Sequence, residues 1–88
     1  MNAVGVIGAG QMGAGIAQVA AQAGYRVLLS DVSRDVADRA KAGIGKQLDR
    51  LIAKEKIDAA DAEALLGRIE PVGDYAPMAE AELIIEAA

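Results

Sequence analysis

The chain has 88 residues, enough for one small domain, and its formal net charge of -4 without a cluster of Lys and Arg argues against a nucleic-acid partner. It contains neither Cys nor His, so disulfides, thiolate chemistry and the commonest general base and metal ligand are excluded, and no metal site is expected. No apolar run approaches the roughly 20 residues of a membrane helix. With no signal-peptide pattern before the first strand, the sequence predicts a cytoplasmic protein without membrane contact.

The first predicted element is a short buried strand over Ala3–Ile7, whose β-branched residues run into Gly8. Gly5 within this strand predicts the close approach of another group, either a packed element or a cofactor. A helix over residues 12–23 follows, and Gly24 is the C′ residue expected to end it. The apolar stripe of this helix, at i, i+3, i+4 and i+7 spacing, consists of Ile16, Val19, Ala20 and Ala23.

The next predicted elements are a second strand over residues 26–30 and a long amphipathic helix over residues 33–54. Ser33 is the residue expected to cap the long helix. A shorter helix, capped by Asp58 and running through Leu66, follows after a break. Together the two helices predict a helical hairpin.

The remaining predicted elements are a third strand over residues 68–72, a helical turn at 77–79 and a fourth strand within 82–87. Pro71 in the third strand is compatible only with a position near a sheet edge. The alternation of strands and helices predicts the α/β class, with a doubly wound parallel sheet of strand order 3-2-1-4 and the hairpin between strands 2 and 3. The ligand crevice of such a Rossmann-type sheet lies between strands 1 and 4, where the winding direction reverses.

The residues between the first strand and the first helix form a G-x-G-x-x-G motif. In a dinucleotide-binding turn, Gly8 makes the tight bend, Gly10 lets the backbone approach the pyrophosphate, and Gly13 lets the helix pack close to the sheet. Backbone N–H groups around Gln11 and Met12 then face the phosphates at the positive end of the helix dipole. An ordinary strand-to-helix turn without a ligand is the alternative.

An acidic residue, Asp31, ends the second strand 18 residues after Gly13. A carboxylate at this position accepts hydrogen bonds from a ribose 2′-hydroxyl and repels a 2′-phosphate, so NAD is favoured over NADP. Arg34 lies near enough in the sequence to keep NADP open. The alternative role for Asp31 is to cap the following helix.

The stretch VIGAGQMGAGIA, from Val6 to Ala17, resembles the N-terminus of the NAD-dependent 3-hydroxyacyl-CoA dehydrogenases, which include 3-hydroxybutyryl-CoA dehydrogenases. The resemblance extends to Asp31, to hairpin residues 41–66 and to the ending LIIEA at 83–87. It implies an oxidoreductase of fatty-acid metabolism that converts a 3-hydroxyacyl-CoA to the 3-ketoacyl-CoA and passes the hydride to NAD. Other dehydrogenases, acting on 3-hydroxy acids or imines, share the G-x-G-x-M-G turn and are the rival within the enzyme class.

The resemblance also implies roles for individual residues. The NAD-binding residues that it implies are Gly8, Gly10, Gln11, Met12, Gly13 and Asp31. It places a CoA contact at Lys54 on the long helix, for which a solvated surface charge is the alternative. A second CoA-contacting position of the family, usually serine, is Gln47 here. The family's catalytic histidine, the glutamate that orients it, and its substrate-positioning serine and asparagine fall beyond Ala88, so no catalytic residue is expected in the chain.

Two hypotheses about the whole chain follow. In the first, residues 1–88 are part of the NAD-binding domain of such a dehydrogenase, inactive alone because the C-terminal catalytic and dimerisation domain is absent. In the second, the chain is a self-standing dinucleotide-binding or assembly module. In both, the sheet ends at the fourth strand and leaves Leu83, Ile84 and Ile85 on an open edge. Open apolar edges recruit partners, so a homo-oligomer is predicted, with contacts through this edge and the hairpin.

Overall fold

Four strands and four helical segments make up the fold, seen in a computed structural model that describes residues 3–8, 10–74 and 76–87. In chain order the elements are β1 Ala3–Ile7, α1 Gln11–Gln22, β2 Arg26–Ser30, α2 Arg34–Ala53, α3 Ala59–Gly67, β3 Ile69–Val72, a 3-10 helix Ala76–Glu80 and β4 Leu83–Glu86. This is the predicted order, and β1 and β2 have the predicted bounds.

All four strands run parallel in the order β3-β2-β1-β4, which confirms the predicted doubly wound sheet. β1 pairs with β2 from Ala3 opposite Arg26, and with β4 from Val4 opposite Leu83. β3 is one edge of the sheet, which is the position that Pro71 requires. β4 is the other edge. The carboxyl ends of β1 and β4 therefore meet where the winding direction reverses.

The main core lies between the sheet and the three α-helices, on what we call the helical face. Val6 and Leu29 project from this face, are fully buried, and belong to one cluster with Ile44 and Leu48 of α2 and Leu65 of α3. Burying an aliphatic side chain of this size contributes about 1.5–3 kcal/mol. This cluster holds the predicted hairpin of α2 and α3 against the sheet.

Gly5 projects from the opposite face of β1, the back face, where the 3-10 helix packs. A Cβ at Gly5 would lie 2.5 Å from Sδ of Met78 and 3.4 Å from side-chain carbons of Ala81 and Ile84. Met78 is itself buried in a cluster with Leu28 of β2. Of the two explanations for this glycine, the packed element is therefore the correct one.

The face of α1 that packs on the sheet differs from its predicted apolar stripe. The buried residues of α1 are Gly13, Ala17 and Ala21, whose small size lets the helix lie close to the strands. Val19 of the predicted stripe is 68% exposed, and Ala23 is exposed as well. Ile16 and Ala20 of the stripe are partly buried and pack against the main core, so the predicted stripe lies along one side of the buried face of α1.

Two predicted helix-end residues act as expected, and a third does not. Gly24 has a φ of 99° and ends α1 in a Schellman motif, with its N–H donating to the carbonyl oxygen of Ala21 at 3.0 Å. Ser33 caps α2, since its Oγ accepts a hydrogen bond from the N–H of Val36 at 3.3 Å. Asp58 occupies the predicted N-cap position of α3, but its side chain makes no capping hydrogen bond.

Glu55 follows α2 in the left-handed conformation that favours glycine, with a φ of 57°. The N–H groups of Glu55 and Lys56 donate to the carbonyl oxygens of Ile52 and Leu51, as in a Schellman motif. We expect Glu55→Gly to raise the free energy of unfolding by about 0.5–1 kcal/mol. A Cβ in this conformation costs about 1–2 kcal/mol, and the greater freedom of glycine in the unfolded chain offsets part of the gain.

Urea unfolding followed by circular dichroism measures this effect. The matched control is Glu55→Ala, which removes the same carboxylate but keeps the Cβ and should change stability by less than about 0.5 kcal/mol. An equal gain in both variants would assign the effect to charge and contradict the backbone explanation.

Candidate dinucleotide-binding site

The turn from β1 into α1 contains two glycines in different conformations. Gly8 has a φ of 106°, which favours glycine, and its N–H donates to the carbonyl oxygen of Ser30 in β2 at 2.8 Å. Gly10 is the N-cap of α1 with a φ of -71°, and its carbonyl oxygen accepts a hydrogen bond from the N–H of Ala14 at 2.9 Å. Ala9 between them lies outside the described residues. The chain therefore passes from the carboxyl end of β1 directly into the helix.

Gly13 and Gly10 differ in what a side chain would meet. A Cβ at Gly13 would overlap the carbonyl oxygen of Gly8 and lie 2.7 Å from its carbonyl carbon. A Cβ at Gly10 would meet nothing within 4 Å in residues 3–8, 10–74 and 76–87, its chain neighbours aside. Packing within the protein thus requires glycine at position 13 but not at position 10. The open space beside Gly10 is where the motif places a pyrophosphate.

The first turn of α1 presents backbone N–H groups to this space. The first N–H groups of a helix have no intrahelical acceptor, and the aligned peptide dipoles place roughly half a positive charge at this end. Gln11 and Met12 are exposed here, and no capping side chain at Gly10 occupies the N–H groups. An anionic group such as a pyrophosphate suits this arrangement.

Asp31 follows β2 at the same carboxyl edge of the sheet as Gly8. One of its carboxylate oxygens accepts a hydrogen bond from the N–H of Val32 at 2.6 Å. Because a carboxylate accepts several hydrogen bonds, ribose hydroxyls can donate to it as well. Ser33 caps α2, so the alternative role of Asp31 as the helix cap is excluded.

Arg34, which kept NADP open as a cofactor, forms an ion pair within α2. Its Nε donates to Oδ1 of Asp38 at 3.3 Å, an i,i+4 pair whose two side chains are both exposed. The guanidinium group of Arg34 thus interacts with Asp38 of its own helix. The charged side chain that directly follows β2 at the edge of the sheet is the carboxylate of Asp31.

Two residues at the site, Ala87 and Val32, had not been singled out from the sequence. Ala87, which follows β4, donates its N–H to the carbonyl oxygen of Ile7 at 2.8 Å, and its Cβ lies 3.6 Å from where a Cβ of Gly13 would stand. The end of β4 thus forms the second wall of the crevice, as the strand order implies. Val32, beside Asp31, is 89% exposed, and no sequence pattern marks it.

Lys54, the residue implied to contact CoA, lies at the far end of α2 from this site. The helix begins three residues after Asp31 and has 20 residues, so at 1.5 Å per residue it spans about 30 Å. Lys54 is its exposed C-cap residue and makes no ion pair within the described ranges 3–8, 10–74 and 76–87. Gln47 is exposed two turns earlier. The structure therefore does not bring Lys54 together with the glycine turn.

The amino end of the sheet carries an ion network. Arg26 at the start of β2 pairs with Glu70 of β3 at 3.2 Å and with Glu80 of the 3-10 helix at 3.6 Å. The hydrogen bond and the charge of Glu70 raise the pKa of Arg26 above its ordinary value. Because arginine is already charged at physiological pH, this network links three elements without acting as a pH switch.

In the part of the chain that the structure describes, no helix is long and apolar enough to cross a bilayer. Nor does that part bring together three or more His, Cys, Asp or Glu residues able to hold a metal ion. The chemistry found at the carboxyl edge includes backbone N–H groups and the Asp31 carboxylate.

Sequence comparison places these features in a known family. The family model described as 3-hydroxyacyl-CoA dehydrogenase, NAD binding domain, matches residues 3–88. The chain is 46% identical over 88 residues to a 3-hydroxyadipyl-CoA dehydrogenase of Escherichia coli K12, covering 100% of this chain and 18% of that protein. It is 48% identical over 83 residues to a probable 3-hydroxybutyryl-CoA dehydrogenase of Deinococcus radiodurans, covering 94% of this chain and 30% of that protein.

The solved structures that match this chain include dehydrogenases of the same kind. A 3-hydroxybutyryl-CoA dehydrogenase from Escherichia coli K12 matches with a TM-score of 0.95 and 46% identity, over 99% of this chain and 18% of that one. An (S)-3-hydroxybutyryl-CoA dehydrogenase from Ralstonia eutropha matches with a TM-score of 0.95 and 40% identity, over 100% of this chain and 31% of that one. The chain thus spans less than one third of the length of each of these relatives. It belongs to the 3-hydroxyacyl-CoA dehydrogenase family and corresponds to the NAD-binding domain, with NAD as the cofactor.

Proposed function

We propose that NAD binds across the carboxyl edge of the sheet, with its pyrophosphate beside Gly10 and its adenosine ribose at Asp31. The residues proposed to hold it are Gly8, Gly10, Gln11, Met12, Gly13 and Asp31. The observation that carries this proposal is the open space at Gly10, at the positive end of α1, where a Cβ would meet nothing within 4 Å among the described residues other than its chain neighbours. The carboxylate needed for the ribose stands at the end of the adjacent strand.

We propose that this domain serves the oxidation of a 3-hydroxyacyl-CoA to a 3-ketoacyl-CoA, in which NAD, when bound, accepts the hydride. The residues of this chain bind and orient the cofactor. The reaction also needs a base to take the hydroxyl proton, and the 88 residues contain no histidine. We therefore propose that the base comes from a separate catalytic domain. The relatives, which extend far beyond the matched part, support this division of labour.

The acyl-CoA is proposed to contact α2 at Lys54. An exposed ammonium group without an ion pair in the described chain suits a phosphate of CoA, and the end of α2 lies well away from the NAD turn. Gln47 in place of the family's usual serine removes a hydroxyl from the same helix. A cytoplasmic location and the absence of nucleic-acid partners stay predictions from the composition.

The proposal is tested by titration calorimetry with NAD on the wild type and on Asp31→Ala. A hydrogen bond to a charged group contributes about 1.5–3 kcal/mol, so we expect the variant to bind NAD about 10–100-fold more weakly. Its preference for NAD over NADP should shrink as well, because the charge that repels a 2′-phosphate is gone.

The matched control is Asp49→Ala, which removes the same charge from the exposed surface of α2 and should bind NAD like the wild type. Wild-type protein with equal affinity for NAD and NADP, or an Asp31→Ala variant with undiminished NAD affinity, would contradict the role proposed for Asp31.

We also propose that the chain self-associates through the β4 edge. Leu83 and Ile84 are 56% and 49% exposed there, although both faces of a parallel sheet are normally covered by helices. The large, exposed apolar side chains found in the described residues include none from α2 or α3. The predicted contact through the hairpin thus stays a prediction, and β4 is the element that the apolar surface favours.

A further inference from the structure

Arg34 stands at a position in α2 that helix stability does not explain. It is the first residue of the helix and is exposed, directly after the capping residue Ser33. The aligned peptide dipoles place partial positive charge at this end of a helix, so an anionic side chain is favoured here and a cation is disfavoured. A reason for the arginine must therefore come from the groups around it.

The ion pair between Arg34 and Asp38 is of a kind that breaks easily. Nε of Arg34 lies 3.3 Å from Oδ1 of Asp38, and the two side chains are 62% and 49% exposed. Exposed pairs are weak, and an i,i+4 pair with the cation first in the chain is the weaker of the two orientations. Within the described part of the chain this bond uses Nε, so the guanidinium keeps further N–H donors for an acceptor of higher charge.

The base of the Arg34 side chain lies at the carboxyl edge of the sheet, close to Asp31. The Cβ of Arg34 is 3.3 Å from where a Cβ of Gly73 would stand, and Gly73 directly follows β3. Asp31 directly follows β2, and the three residues from it to Arg34 span at most about 11 Å of backbone. A long side chain that starts here can reach a phosphate on a ribose bound at Asp31.

We propose that Asp38 is a specificity-determining residue, which disfavours NADP by holding the guanidinium of Arg34 away from a 2′-phosphate. In dinucleotide-binding folds an arginine near the ribose accommodates this phosphate, and arginine can bind it through two parallel hydrogen bonds. Asp38 acts through Arg34 and is therefore a positioning residue. The inference rests on the position of the ribose at Asp31 proposed above.

The alternative is that Asp38 acts by its own charge alone. A carboxylate repels a 2′-phosphate whether or not Arg34 is present, whereas the proposed role needs the guanidinium. Asp35 separates the two explanations, because it is an exposed carboxylate in the same first turn of α2. Its removal lowers the repulsion without releasing Arg34, which is paired with Asp38.

Titration calorimetry with NADP and NAD tests the proposal in the Asp31→Ala variant, where the first carboxylate is already gone. We expect the added change Asp38→Ala to raise the affinity for NADP relative to NAD about three- to tenfold, because the released guanidinium binds the phosphate. Adding Arg34→Ala should abolish this gain. Asp35→Ala in place of Asp38→Ala should change the ratio less than about twofold, since the charge it removes is screened by salt. Asp38→Glu, which keeps a carboxylate four residues after Arg34, should leave the ratio as in Asp31→Ala alone.

Adenosine 2′,5′-bisphosphate and AMP give a second measurement, because the pair isolates the 2′-phosphate from the nicotinamide half of the cofactor. The preference for the bisphosphate should rise with Asp38→Ala, depend on Arg34, and fall as salt is added. Circular dichroism verifies that each variant is folded.

The outcomes separate this inference from the proposed function. A gain that survives Arg34→Ala, or an equal gain from Asp35→Ala, would assign the effect to charge alone and overturn the role of Asp38. An unchanged ratio in the Asp31→Ala/Asp38→Ala protein would overturn it as well, while the NAD site at Asp31 stands. A wild type that does not bind NAD overturns the proposed site itself, and with it the inference.

Discussion

Gly13→Ala is expected to lower the free energy of unfolding by about 3 kcal/mol or more, at or beyond the upper end of overpacking effects. A Cβ at this position would overlap the carbonyl oxygen of Gly8, and the atoms it meets are backbone atoms that no rotamer change can move. Gly8 cannot easily retreat, because its N–H is hydrogen-bonded to the carbonyl oxygen of Ser30 at 2.8 Å. The free energy of unfolding of a small domain is roughly 5–15 kcal/mol, so the substitution would remove a large part of the stability.

The free energies of unfolding of Gly13→Ala and Gly15→Ala, both measured in urea, can be compared directly. Gly15 lies in the same helix, and a Cβ there would meet nothing within 4 Å. Alanine is a better helix former than glycine, so Gly15→Ala should raise the free energy of unfolding by about 1 kcal/mol. The same substitution two residues apart is thus expected to act in opposite directions. A Gly13→Ala variant within about 0.5 kcal/mol of the wild type would show that the turn differs from the one described.

The strands and their order were predictable because the sequence marks their ends locally. The apolar run of β1 stops at Gly8, that of β2 stops before Asp31, and the glycine motif identifies β1 as the central strand. Pro71 restricted its strand to a sheet edge, where it is found. Each of these signals depends on neighbours within a few residues, which is the range over which sequence patterns are informative.

The packing partners were not predictable, because they come from distant parts of the chain. The sulfur that requires a glycine at position 5 belongs to Met78, which lies 73 residues later. In α1 the periodicity correctly identified the larger apolar residues but could not show that the helix rests on Gly13, Ala17 and Ala21 instead. A helix with apolar groups on two sides has two possible inner faces, and only the tertiary structure decides between them.

The residues of the candidate site stay a prediction, and the structure adds physical detail at two of its glycines. The motif assigned Gly13 to the packing of α1 on the sheet, whereas the tightest contact at this position is with the carbonyl group of Gly8 in the turn itself. The motif assigned Gly10 to the approach of a pyrophosphate, and in the described part of the chain no residue beyond its neighbours lies within 4 Å of a Cβ placed there. Lys54 was implied by resemblance alone, and no local pattern relates it to the turn.

Gly10→Ala is expected to reduce the affinity for NAD by at least about tenfold, or 1.4 kcal/mol, while changing the free energy of unfolding by less than about 1 kcal/mol. Alanine readily adopts the φ of -71° and ψ of -169° found at Gly10, and beyond its chain neighbours its methyl group would meet none of the residues that the structure describes within 4 Å. In the proposed binding mode, the group that the methyl would displace is the pyrophosphate of NAD. Titration calorimetry with NAD and urea unfolding of the free protein separate the two effects, with Gly15→Ala as the control that should bind NAD like the wild type.

Because the fold should survive the change, an unaltered affinity for NAD would place the pyrophosphate away from Gly10. If Gly10→Ala unfolds, position 10 is required for packing as position 13 is, which contradicts the distinction drawn between the two glycines.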